Sequence, residues 1–366
     1  MKDLEVRALN FLGWAYRNQG DYSNASEHYD KAYRLCSELH DQASSGEEQK
    51  KWKGELASIM NNQAYVKALE GNQSIAEQWA SEALKWRKQI GSTIDVADSY
   101  STLGEIYFMS YRTKDAMDHY DQALEIFTQE NHREKMALAR CGRALIFLLQ
   151  EEIDKAEADL KYAFENGSKN QHPRILHHQA RILAKRGDLE GAYKKYEDCR
   201  KISQEMKDER YDFKSFADLI DLTWELKAFD KWEGFASELK TKFSKKMDSF
   251  LRGSSLRKIA DLAICDNHYT EALTFYKESL PLIAVYSFGN ASSPSSDPFL
   301  ITKQLESIEK RIGAGSSPKL LKQLGSDLAQ FWSKEKVNIA GKEEKLSEKY
   351  HQIIWTFRQW KKEINE

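Results

Sequence analysis

A small residue returns along this chain at a nearly fixed interval. Ala25, Ala76, Ala116, Ala156, Ala192 and Ala272 share one local context, and Trp232 stands at the equivalent place between the last two. The steps are 51, 40, 40, 36, 40 and 40 residues. Tyr100–Phe127 shows the context most fully. Gly104 and Tyr107 sit on one amphipathic stretch, and Ala116, Tyr120 and Ala123 form a stripe at four- and three-residue spacing on a second. Small residues at Gly104, Ala116 and Ala123 allow two helices to approach closely, and the tyrosines fill the space beside them. A chain with this period folds as a series of helical hairpins, each burying its apolar face against the next.

Other hairpins vary the theme. The first reads Leu12-Gly13, Tyr16, Gly20-Asp21-Tyr22, Ala25, Tyr29, Ala32, and Gly20 is placed to end a helix in the left-handed region. The second has Ala64, Gly71, Ala76, Ala80 and Ala83. The polar insertion Ser44–Gly54 before it predicts a longer loop or a helix extension. The fourth keeps Ala144, Phe147, Ala156 and Ala163 but carries Gln150-Glu151-Glu152 where a turn glycine is expected. The fifth has Ala180, Gly187-Asp188, Ala192, Tyr196 and Cys199. The sixth replaces its turn glycine by Lys227, and the seventh restores Ala260, Tyr269, Ala272 and Tyr276.

Pro281 is placed to end the last hairpin. Ser287–Pro298 then reads as a Ser/Pro-rich loop. Beyond it the pattern predicts helices over Phe299–Ile312, Lys319–Trp332 and Glu343–Glu363. The last carries a strict stripe of Leu346, Tyr350, Ile353, Phe357, Trp360 and Ile364, suited either to capping the array or to self-association or partner docking.

Composition agrees with a thin array. Charged residues make up 31% and hydrophobic ones 41%, so much surface is exposed, while 11% aromatics exclude a disordered chain. A net charge of −2 gives no electrostatic reason to expect a nucleic acid or an anionic membrane. The first residues do not form a signal peptide, and no run approaches the roughly 18 apolar residues of a membrane helix. Cys36, Cys141, Cys199 and Cys265 follow no ligand spacing, and reduced thiols in a cytoplasmic protein are expected.

From about Leu4 to Leu280 the small and aromatic positions resemble the tetratricopeptide-repeat superfamily, in a long variant of about 40 residues. Its long repeats are similar to those of cargo-binding and polarity adaptors, of bacterial peptide-responsive regulators and of sensor arrays attached to signalling ATPases. The resemblance implies an all-α fold, a right-handed superhelical solenoid of antiparallel helix pairs with a C-terminal helical cap. Seven hairpins would occupy residues 1–286, the loop 287–298, and a capping or docking segment 299–366. It also implies a non-enzymatic scaffold, adaptor or sensor that binds a protein or peptide in the concave groove lined by the first helices. The chaperone-tail clamp of some members is not expected, because the corresponding places carry Asn10 and Trp14, then Asn62, then Asp98 and Thr102, and only the middle one fits.

Threading the first helices onto this frame gives a lining: Asn10, Trp14 and Arg17; Asn61 and Tyr65; Glu105 and Phe108; Arg174, His177 and Arg181; Asp221 and Trp224. Trp14, Tyr65, Phe108 and Trp224 are the expected anchors, since aromatics in desolvated pockets dominate interface energies. Leu138, Cys141, Leu145, Leu148 and Leu149 in the fourth hairpin read either as an apolar floor or as core under a neighbouring helix. Arg257, Asp261 and Ile264 are expected to line the seventh hairpin's part of the groove.

A nucleic-acid-binding array is the alternative reading, but it needs a basic groove throughout, and Asp98, Glu105, Asp221 and Glu225 fall there. No metal site is expected: His177 and His178 are adjacent and diverge by about 100° on a helix, and Pro173 separates them from His172. No phosphate-binding glycine loop, G-x-S-x-G or H-E-x-x-H pattern occurs, so neither a cofactor nor catalysis is expected.

Overall fold

The computed structural model describes residues 2–70, 72–242, 249–289, 318–334, 336–339 and 342–345. Two compact units divide the chain, Met1–Phe216 and Ala217–Glu366. The first contains α1 (Lys2–Asn18), α2 (Tyr22–Asp41), α3 (Gly46–Leu69), α4 (Gln73–Ile90), α5 (Thr93–Met109), α6 (Thr113–Gln129), α7 (Arg133–Leu149), α8 (Ile153–Asn166), α9 (His172–Lys185) and α10 (Leu189–Met206). These pack in consecutive pairs, α1 on α2 through α9 on α10. Helix α11 (Glu209–Glu225) begins in the first unit and ends in the second.

The recurring small residue is the axis of packing. Ala25, Ala76, Ala116, Ala156, Ala192 and Ala272 are fully buried, and Trp232 is nearly so. Two of the tyrosines four residues later, Tyr29 and Tyr120, fit over glycines on the facing helices. A Cβ on Gly13 would stand 2.6 Å from the Tyr29 ring. Tyr120 is flanked twice, by Gly104 of its own hairpin and by Gly142 of the next, where a Cβ would approach to 2.4 Å. Tyr120 is thus a wedge between successive hairpins, and only a residue without a side chain fits at position 142.

In six of the hairpins the turn residue is left-handed whatever its type. Gly20 (φ 76°), Tyr111 (58°), Glu151 (61°), Gly187 (84°), Lys227 (56°) and Asn267 (65°) each stand five residues before the buried small position. Loss of glycine at Glu151 and Lys227 therefore changes the cost of the turn and leaves its geometry intact. The insertion before the second hairpin is a helix extension. Ser45 Oγ accepts a hydrogen bond from the Glu48 N–H at 3.2 Å as the N-cap of α3, and Trp52 is buried, its carbonyl accepting the Cys36 thiol at 3.6 Å.

The second unit contains α12 (Trp232–Thr241), α13 (Ser249–Cys265), α14 (Tyr269–Gly289), α15 (Pro318–Lys334), and an antiparallel hairpin of β1 (Lys336–Ile339) and β2 (Lys342–Lys345), with Lys336 opposite Lys345. Trp232 uses its extra bulk, its indole N–H donating to Asp266 at 3.0 Å. Two sequence expectations are corrected here. Pro281 does not end its helix: α14 runs through it to Gly289, because Leu280 and Ile283 are fully buried and Gly253 of α13 allows Leu282 and Ile283 to pack closely. Glu343–Lys345, expected to open the last helix, are strand residues paired with β1. Helix α15 matches its expected span. The expected helix Phe299–Ile312 and the stripe from Leu346 to Ile364 lie outside the described residues, as does most of the Ser/Pro-rich loop.

Candidate binding groove

The first helices of the first five hairpins present one face to a shared cavity of about 540 Å³. Trp14 and Arg17 come from α1, Asn61 and Tyr65 from α3, Asp98, Ser101 and Glu105 from α5, Lys135 and Leu138 from α7, and Arg174 from α9. A second cavity of about 240 Å³ shares Trp14, Arg17, Tyr65, Leu138 and Arg174 with it and adds Arg210 and Tyr211 at the start of α11. All of these residues lie within the first unit.

Trp14, half-buried, stacks on Phe11 with ring centroids 5.5 Å apart. Asn10 Oδ1 accepts from Asn62 Nδ2 at 3.0 Å. Asn61 is buried and donates to Thr102 Oγ1 at 2.8 Å, leaving its own Oδ1 without a partner among the described residues. Ser101 Oγ, Gln171 Oε1 and Arg174 Nε are also buried lining atoms without a hydrogen-bond partner there. Such atoms are costly unless something satisfies them.

The floor is crossed by an ion pair. Arg174 donates to Glu105, joining α9 to α5, and both side chains are largely shielded. Burial by itself would raise the Glu105 pKa, but the Arg174 guanidinium outweighs it and holds the carboxyl below its ordinary range, with the Tyr120 hydroxyl beside it. A second pair, Lys135 with Asp98, joins α7 to α5.

Within the first unit, Asn10, Phe108, His177 and Arg181, also expected in the lining, line neither cavity. Phe108 packs against the cores of the third and fourth hairpins. His177 is in the wall: it is buried against His178, Tyr196 and Tyr211, with Nδ1 3.1 Å from Ser215 Oγ. Burial pushes both histidines well below their ordinary pKa, with Arg181 among the cations adding to the shift. Arg181 itself is half-buried and lines neither cavity. Asp221 and Trp224 belong to the second unit, where Lys258 pairs with Asp221 and Phe229 lies 5.1 Å from Trp224.

In the fourth hairpin the two open readings divide. Leu138 lines both cavities, whereas Cys141, Leu145 and Leu148 are core. Burial raises the Cys141 thiol to about 11, so it is an inert structural cysteine. Arg257, Asp261 and Ile264, expected along the groove, are all buried. Lining residues outside the sequence frame include Glu134, Lys135, Gln171 and Arg210. Each sits at or just before the first turn of its helix, and a frame extended one turn toward each helix start reaches them.

Family profiles described as tetratricopeptide repeat match residues 6–39 and 55–129. Among solved structures, the chain is similar to the apo form of RapI, at 18% identity over 76% of this chain and 97% of that one, with a TM-score of 0.50. It is also similar to a signal transduction ATPase with numerous domains, carrying a tetratricopeptide repeat sensor, from Pyrococcus horikoshii. There the identity is 14%, the match covers 90% of this chain and 52% of that one, and the TM-score is 0.54. At such identities the likeness shows the fold, an all-α helical-repeat solenoid. No curated protein matches the chain.

Proposed function

Since tetratricopeptide-repeat profiles match residues 6–39 and 55–129, we propose that the inner face of the first unit receives an extended stretch of a protein or peptide partner. The repeats make the chain a protein–protein interaction module in general. One observation carries it: aromatic, apolar and hydrogen-bonding side chains from five first helices converge on one cavity, and six buried polar atoms of its lining residues lack a hydrogen-bond partner among the described residues. Trp14, Tyr65 and Leu138 supply apolar contact area. Asn61, Ser101, Gln171 and Arg174 supply donors and acceptors for a main chain.

The module acts as a scaffold, adaptor or sensor. Among the described residues no helix is long and apolar enough to cross a membrane. None of the four cysteines is joined in a disulfide, which suits a reducing compartment such as the cytoplasm.

A photo-crosslinking side chain placed at Leu138, which is 40% exposed and lines both cavities, tests the reading in the native cell. The same group at Lys114, exposed on α6, serves as the control. Discrete adducts at position 138, absent at 114 and reduced by Trp14→Ala, are expected. Equal adducts at both positions, or no dependence on Trp14, would refute it.

A further inference from the structure

The first two hairpins hold a separate cavity of about 280 Å³ that shares no lining residue with the two on the inner face. Tyr33 of α2, Met60 of α3, and Gln78, Trp79 and Glu82 of α4 line it. The Tyr33 and Trp79 rings are both half-buried, with centroids 6.3 Å apart and planes inclined at 32°. Both pack against a small core of Ala57, Met60 and Ala83, which fixes their positions.

Nearby, the chain covers its own aromatic rings with its own cations. Lys51 Nζ lies 4.4 Å from the Trp52 ring centroid, and Lys53 Nζ 5.7 Å from that of Trp86. Lys88 stands over Tyr100 at 5.1 Å and Arg112 over Tyr107 at 4.2 Å. Among the described residues no lysine or arginine lies over Tyr33 or Trp79. Arg34 follows Tyr33 in sequence but leaves α2 about 100° further round the helix. Glu82 brings a carboxylate to the same cavity. Lys85 Nζ is 3.8 Å from Glu82 Oε1, beyond hydrogen-bonding reach, and its side chain is 63% exposed.

We propose that this slot binds a trimethylammonium group supplied from outside the chain. A cation within about 6 Å of an aromatic centroid is drawn to the negative face of the ring, and shielding from water strengthens the attraction. Two rings, the Met60 thioether and the Glu82 carboxylate provide such a setting with few hydrogen-bond acceptors. A primary ammonium carries three N–H donors and a guanidinium five, more than Glu82 and the Gln78 amide oxygen satisfy. A trimethylammonium group has no N–H to satisfy. At about 280 Å³ the cavity is smaller than those that take drug-sized ligands, and it suits a single head group. Because its lining is separate from the inner face, the slot is independent of the groove and its occupant.

The test uses the full chain labelled with 5-fluorotryptophan and followed by fluorine NMR, the Trp79 signal being the one lost in Trp79→Phe. The probes are choline, its uncharged isostere 3,3-dimethylbutan-1-ol, and n-butylammonium. Choline is expected to shift the Trp79 signal saturably, with the other two binding about fivefold more weakly or worse. Tyr33→Leu and Glu82→Gln, checked for folding by circular dichroism, should each weaken choline by about fivefold. A Trp79 signal that choline leaves in place would overturn the site. The uncharged alcohol binding as tightly as choline would reduce it to an apolar cavity, and n-butylammonium doing so would overturn the preference for methyl groups. Full choline affinity in both variants would also overturn it, by placing the binding elsewhere. A glycine-flanked trimethyllysine peptide separates the sources. Binding at least as tight as choline assigns the group to a protein side chain, and weaker binding assigns it to a free small cation. The comparison of choline with its isostere on wild type needs no variant, so it stands even if a substitution unfolds the chain.

Discussion

Glu105 and Asp261 occupy the same register, each eleven residues before a buried alanine, and each has a tyrosine four residues beyond that alanine. Both acids are paired with an arginine, but the arginines come from different places. In the second unit Arg257 lies one turn earlier on the same helix, 2.7 Å from Asp261, and Tyr276 donates to the other carboxylate oxygen at 2.8 Å. The trio is packed away from solvent, with Asp261 0% and Arg257 3% exposed. In the first unit Arg174 reaches Glu105 from α9, two hairpins further on, and both line an open cavity. A local pair lets hairpins pack and seals the position. A pair made across hairpins links two helices along the lining of an open cavity.

The sharpest way to break that contrast is to remove the acid from each trio. Asp261→Ala leaves Arg257 buried without its partner, a loss of about 3–5 kcal/mol. Glu105→Ala strands Arg174 beside a cavity that admits solvent, and the loss expected is smaller, about 1–3 kcal/mol. Hydrogen exchange followed peptide by peptide in each variant would separate the two. Equal losses would mean that the first-unit pair is as sealed as the second, and that the cavity is closed to water.

The same contrast marks what a sequence can carry. The hairpins are legible because packing is periodic: Ala25 through Ala272 recur at helix–helix contacts, and a contact of fixed geometry demands a small residue each time. The groove is legible where it follows the same register, at Trp14, Tyr65 and Glu105, which stand eleven residues before successive alanines. That register misplaces His177 and the seventh hairpin, because periodicity gives a side chain's direction and says nothing of what another element places over it. Tyr211 covers His177, and Arg257 with Tyr276 closes over Asp261. Arg210 escapes the register for the converse reason. Its meeting with Tyr65 depends on how far successive hairpins turn, which no local pattern encodes. Gly142 reads only as a small residue on an apolar helix until Tyr120 is placed against it.

Acid should separate the two units. His177 and His178 of the first unit are kept neutral by burial, so their folded pKa values lie well below the ordinary value near 6.5. Above that pH neither state is charged and the histidines contribute no pH dependence. As pH falls below about 6.5 the unfolded chain takes up protons that the folded one refuses, and stability drops. Glu105 adds a second loss at lower pH, as the solution passes below the ordinary carboxylate range toward its depressed folded value. Among the described residues of the second unit no histidine is buried. Thermal melts between pH 7.5 and 5 should show the first unit weakening first, and His178→Leu should flatten that slope. A parallel decline in both units, unaffected by His178→Leu, would assign the acid limb elsewhere.

The smallest expected effect compares the units at their turns. Glu151 in the first and Lys227 in the second hold left-handed conformations, φ 61° and 56°, at exposed positions where other hairpins use glycine. A side chain there costs about 1–2 kcal/mol, and glycine gives back part of that gain through the freedom it adds to the unfolded chain. Glu151→Gly and Lys227→Gly should therefore each stabilise by about 0.5–1 kcal/mol in urea unfolding. Because both turns stand five residues before a buried small position, Ala156 or Trp232, equal gains would show that one turn geometry is imposed on every hairpin. A gain at Glu151 without one at Lys227 would mean that the larger Trp232 side chain, bonded to Asp266, already holds the sixth turn in place.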